Sequence, residues 1–222
     1  MDVLAGWLLA FAAAAGDGDF LPPRTEAARQ IRSPAEDLES KIREGLAKRV
    51  NPARILDAIR HRRDSFRTLA ASLEKELREA GRDMEGGARC ETVLEMHRAM
   101  DLGLARESVQ EVLREALRAR GTDAELPSAV VHFAGVAGGS GMPSDQVERI
   151  VRRALARAYT TGDFRLSCRS ILELRERHGD RYPARDVGQW MEEGIVQSLT
   201  CRGMLDYVRR QSEARLPGPP PR

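Results

Sequence analysis

Four histidines, three cysteines and one glycine-rich turn are the residues whose types could do chemistry in this 222-residue chain. A zinc or di-iron centre on helices needs histidine and carboxylate at helical spacing, as in Glu-x-x-His repeats or His-Glu-x-x-His. His61, His97, His132 and His178 are scattered, no two lie three or four residues apart, and neither motif occurs. His178 stands where Leu46 and Met100 stand in earlier parts of the chain, so it reads as a half-buried residue at a helix end. Cys90, Cys168 and Cys201 are an odd number without a C-x-x-C pair. An oxidising compartment could join two of them, but the spacing reads as three buried, inert thiols packing as small hydrophobes. Gly135-Val136-Ala137-Gly138-Gly139-Ser140-Gly141 precedes a helix, where phosphates can dock. It lacks the P-loop lysine and a preceding strand, and Asp145 would repel an anion. It reads as a helix C-terminus with a flexible turn, the least rigid part of the chain. No catalytic, cofactor-binding or metal-ligating residue is therefore expected, and the chain is not expected to be an enzyme.

The elements that would position these residues are legible from one apolar stripe that returns four times. Take Ile55, Val109, Val147 and Val187 as position zero. The offsets +3, +4, +7 and +8 hold Val112, Leu113, Ala116 and Leu117; then Ile150, Val151, Ala154 and Leu155; then Trp190, Met191, Gly194 and Ile195. This is one face of an α-helix. In the first copy Ala58 and Ile59 fit, and Arg62 and Arg63 break the match. A preceding helix contributes Val93 and Met96, Val131 and Ala134, and Ile171 and Leu174. Short turns follow at Gly103-Leu104-Ala105, Gly141-Met142-Pro143 and Arg181-Tyr182-Pro183. The expected fold is all-α: eight or nine helices in stacked antiparallel pairs, α-solenoid-like along the chain, since no pair alone can bury its stripe. Leu205, Tyr207 and Val208 add a short C-terminal capping helix.

Local signals place the ends. Ser33-Pro34-Ala35-Glu36 has a Ser N-cap, Pro at the first helical position and Glu at the third. Leu38, Ile42, Leu46 and Val50 carry that helix to Asn51-Pro52, where a long helix starts and runs to Gly81. The helical-repeat domain is expected over 33–214. Val3 to Ala15 is an unbroken run of apolar or small residues, too short to span a bilayer comfortably. Its length and its end at Ala13-Ala14-Ala15 fit a secretory signal peptide over 1–15, although Asp2 stands where a positive charge is usual. A buried N-terminal helix is the other reading. No cysteine follows the run to carry a lipid anchor, so no membrane anchor is expected in the mature chain. Residues 16–32 read as a polar linker, and 215–222 as an extended, Pro-rich disordered tail.

Thirty-six basic and 34 acidic residues leave a net charge of +2, so no strong field pulls the chain toward nucleic acid or anionic lipid. Only Lys41, Lys48 and Lys75 are lysine. The arginine and alanine excess reads as a high-GC coding bias. The segment Lys41-Ile42-Arg43-Glu44-Gly45-Leu46-Ala47-Lys48-Arg49-Val50 resembles a Lys-x-x-Glu-Gly-Leu-Ala-Lys-Gly-Val string. That string precedes a proline-started helix in uncharacterised, exported α-helical proteins of high-GC bacteria. The resemblance extends through Ile59, and Arg49 departs from the glycine the pattern prefers. It implies export and a helical fold, and no activity or site residues.

Two function classes follow. One is a non-catalytic, periplasmic or secreted helical-repeat protein that binds another protein or peptide. The other is a cytoplasmic regulator using a helix-turn-helix-like pair on DNA, with Arg54, Arg60, Arg62, Arg63 and Arg67 on phosphate; the balanced charge and the apolar run argue against it. An unpaired arginine in the core would cost several kcal/mol, roughly, so Arg62 and Arg63 are expected outside it. Either they pair with Glu36, Asp37 or Glu39, or the helix projects there, with the arginines simply exposed on a polar terminal unit that has no partner, or forming with Phe66 a basic partner contact.

Overall fold

The computed structural model describes residues 33–119, 123–197 and 200–215. The expected signal peptide, the linker and residues 216–222 of the tail lie outside the described residues. Within them are nine α-helices: α1 (Pro34–Ala47), α2 (Pro52–Ala80), α3 (Gly86–Asp101), α4 (Arg106–Arg118), α5 (Leu126–Gly139), α6 (Ser144–Ala156), α7 (Thr161–His178), α8 (Ala184–Val196) and α9 (Cys201–Arg215). A 3-10 turn, Gly179–Arg181, follows α7, and no strand occurs among the described residues.

The starts follow the cap chemistry. Ser33 Oγ accepts from the Glu36 N–H, and the Ser33 N–H donates to Glu36 Oε2, closing the capping box. Asn51 Oδ1 accepts from the Ala53 N–H at the head of α2. Pro143 and Pro183 sit one residue before α6 and α8.

Five of the ends share one device. After α1, α2, α3, α5 and α6 a residue turns to positive φ: Arg49, Gly81, Gly103, Gly141 and Ala158. The following N–H then donates to the carbonyl five residues earlier, as Val50 does to Gly45 and Leu104 to Ala99. Leu104, Met142 and Tyr159, each next in line, bury their side chains. One short turn thus ends a helix and contributes to the core.

The helices form a stack of two rows. The odd-numbered helices α1, α3, α5, α7 and α9 contact one another in succession, and so do α2, α4, α6 and α8. Val109, Leu113, Val147, Val151, Val187 and Met191 are all buried, as the stripe requires. Arginine–glutamate pairs join the even row: Arg114 of α4 to Glu76 of α2, Arg152 of α6 to Glu115 of α4, and Arg153 of α6 to Glu192 of α8.

Two expectations change. The glycine-rich stretch is a helix C-terminus as expected, Gly135 to Gly139 being the last turn of α5, but it is packed against α3. A Cβ on Gly135 would come within 3.0 Å of Ala99 Cα, so the absent side chain lets two backbones approach. This is a close interhelical contact, and only Gly141 acts as the turn. The capping helix is also longer than a short cap: α9 has 15 residues and buries Cys201, Met204, Val208 and Ser212. Its stripe is sparse, with cysteine and serine at two positions, and it extends one residue past the expected boundary at 214.

Candidate functional site

Where α1, α2 and the end of α3 meet, Arg62 occupies a position of the α2 stripe, pointing between its neighbours. Its Nε donates to Asp37 Oδ2 of α1 at 2.6 Å and its Nη1 to Asp101 Oδ2 of α3 at 3.0 Å. The guanidinium lies over Phe66, 5.8 Å from the ring centroid, and Phe66 in turn packs on the His97 ring at 4.6 Å. Burial works against the charge on Arg62, but the hydrogen bond and charge of Asp37, with Asp101, outweigh it and hold the guanidinium above its ordinary value. Burial, then the Arg62 charge, hold the His97 imidazole below its usual 6.5. His97 Nδ1 is 3.3 Å from Asp101 Oδ2, though not in hydrogen-bonding geometry.

The projecting patch of Arg62, Arg63 and Phe66 is therefore not what the structure contains. Phe66 is buried in the core and Arg62 is a tether between three helices. Of the arrangements open in the sequence, Arg62 adopts pairing with Asp37. Asp37 and Asp101 satisfy the cation that the apolar stripe could not. Arg63 is half-buried beside Asp64, 3.4 Å away.

Beside this junction, α1 and α2 diverge around a cleft of about 560 Å³. Its floor is Gly45, Val50, Ile55, Ala58 and Ile59. The rim is charged. Glu44 takes hydrogen bonds from Lys48 at 2.6 Å and Lys41 at 2.9 Å, and these hold its carboxyl down at about 2. Arg54 faces them from α2, exposed and with no side-chain partner among the described residues. The local sequence explains the shape. A side chain on Gly45 would press on Ile55 at 2.9 Å, so glycine there lets the helices meet. Arg49, at φ 55°, makes the left-handed turn for which a glycine would be the unstrained choice. A second cleft, about 380 Å³, lies on α6 and α8, where Arg149 and Arg153 both pair with Glu192.

The remaining chemistry-bearing residues are dispersed. All three cysteines are free and buried, and burial raises their thiols, Cys168 to about 12 and Cys201 to about 11. Such thiols are inert at neutral pH. His178 ends α7, half-buried, with burial lowering its imidazole. His132 Nδ1 is 2.8 Å from Glu95 Oε2, joining α5 to α3; burial opposes the Glu95 charge, and His132 with Arg98 still holds that carboxyl below the usual range. No group of three or more histidine, cysteine, aspartate or glutamate residues among those described is placed to hold a metal ion.

Comparison with family models, with curated proteins and with solved structures gives no match to this chain. Arg54 and Arg62, both singled out by the sequence, line the cleft together with Lys41, Glu44 and Lys48, whose place in a cleft no motif marks. A signal was present: two of only three lysines stand seven residues apart, one on α1 and one at its C-cap, in a chain that otherwise uses arginine.

Proposed function

We propose that this chain is an exported, non-catalytic helical-repeat protein that binds another protein or peptide. The observation that carries the reading is the open cleft between α1 and α2, apolar along its floor and basic on its rim. Binding there needs no bond chemistry, which agrees with thiols raised by burial and with His132 tied to Glu95. The run from Val3 to Ala15, ending in small residues, supports export and cleavage near Gly16, to the periplasm or the exterior. The resemblance of residues 41–59 to exported proteins of high-GC bacteria supports the same location, and those residues supply most of the cleft wall. The DNA-binding alternative loses one of its phosphate contacts, because Arg62 is held by two aspartates.

Cell fractionation with intact-mass measurement on the native protein tests export. A periplasmic or secreted species beginning near Gly16 is expected, and a soluble cytoplasmic species retaining Met1 to Ala15 would contradict it. In-cell crosslinking from a photoreactive residue at position 58 tests binding: a discrete adduct is expected, and none would contradict the reading.

A further inference from the structure

The α1–α2 cleft has an apolar strip and takes cations from both helices. Val50, Ile55, Ala58 and Ile59 form the strip. Lys41 and Lys48 stand on the α1 wall, seven residues or about 10 Å apart along the helix axis. Arg54 stands on the α2 wall. Glu44 is the single carboxylate lining the cleft, and both lysines already share it. The result is a groove with an excess of cations, one of them without a side-chain partner among the described residues.

We infer that this groove takes an acidic peptide segment with an apolar anchor, an inference that rests on the protein- or peptide-binding reading above. An aliphatic or aromatic side chain covers the strip, while carboxylates on either side of it meet Lys41, Lys48 and Arg54. The distribution of charge selects this occupant. The cations are spread along two walls, which matches carboxylates spaced along a chain. A fatty acid brings one headgroup and needs most of its surface enclosed, whereas this cleft is open to solvent. Single-stranded nucleic acid needs an aromatic platform for its bases, and no phenylalanine, tyrosine or tryptophan lines the cleft.

The test pans the full chain against a phage-displayed library of random peptides. Enriched peptides are then synthesised, and fluorescence anisotropy gives their affinity for the wild type, Arg54→Glu and Ala58→Glu. Both positions are exposed on α2, and thermal unfolding checks that both variants keep the fold. The expected peptides carry two or more Asp or Glu residues around a Leu, Ile or Phe. Each substitution is expected to weaken them about tenfold or more, and added salt to weaken them further. An absence of enrichment, enrichment in basic residues, affinity unchanged in both variants, or displacement by sodium dodecanoate at comparable affinity would overturn the assignment. Unchanged affinity in both variants moves the site but leaves the binding reading standing. No enriched peptide together with no crosslinked adduct removes both.

Discussion

Helices α1 and α5 have the same length, 14 residues, and opposite surroundings. Eleven residues of α5 are buried, and it carries no Asp, Glu, Lys or Arg. In α1 only Asp37 and Leu38 are buried, and six residues are charged. The interior helix is held by burial, with Phe133 edge-on to Phe164 at 5.6 Å and the glycine face closing on α3. The end helix is held by its capping box, by Leu38 and by the Asp37–Arg62 pair. Neighbours on both sides make α5 part of the core. Among the described residues α1 is neighboured only by α2 and the end of α3, and the groove lies beside it.

That contrast can be broken from either end. The largest effect is expected inside: Phe133→Ala should cost about 3–5 kcal/mol by removing a fully buried ring, read from a urea melt. A loss below about 1 kcal/mol would mean that α5 is not the centre of the core. At the end of the stack, Arg62→Ala leaves Asp37 buried without its cation. A cost of about 2 kcal/mol is expected, between surface and fully buried pairs, and Arg62→Lys should recover part of it. An unchanged melt would mean that Arg62 does not tether α1.

The same junction should respond to acid. His97 is held below 6.5 in the fold by burial and by Arg62, against Asp101 and Asp37, which act the other way. As pH falls through 6.5 the unfolded chain takes up the proton first. Stability present above that pH is therefore lost progressively until the lowered folded value is reached. His178 acts in the same direction. His97→Gln should flatten, but not abolish, the decline in urea stability between pH 7.5 and 5.5, and an unchanged slope would refute the assignment.

Smaller effects sharpen the picture. Arg49→Gly should raise stability by about 1 kcal/mol, since the left-handed turn strains a side chain. Arg54→Glu should change stability by less than about 0.5 kcal/mol, because it removes no side-chain contact, so any loss of peptide affinity is a binding effect.

What could be read from sequence was whatever a single helix states about itself. The stripe after Val109, Val147 and Val187, the Ser33 cap and the Gly103 and Gly141 turns need only local spacing. Relations between helices were harder to see. Arg62 looked like an intruder in its stripe because its partners lie 25 and 39 residues away on other helices. Asp37 was among the acids the sequence offered it, and Asp101, at the very end of α3, was not. The glycine run looked flexible because glycine destabilises a helix by about 1 kcal/mol per residue, and the compensating contact with Ala99 is invisible until α3 is laid beside it. The cleft belongs to the same class, since its walls come from two helices and its width is set by Gly45 against Ile55.

Native-state hydrogen exchange read by mass spectrometry tests the contrast most directly. Peptides covering 126–139 should exchange only through global unfolding. Peptides covering 34–47 should exchange through a local opening of lower free energy, made lower still by Arg62→Ala, while the 126–139 peptides keep a larger protection. Equal opening free energies for the two segments, unaffected by Arg62→Ala, would contradict the account.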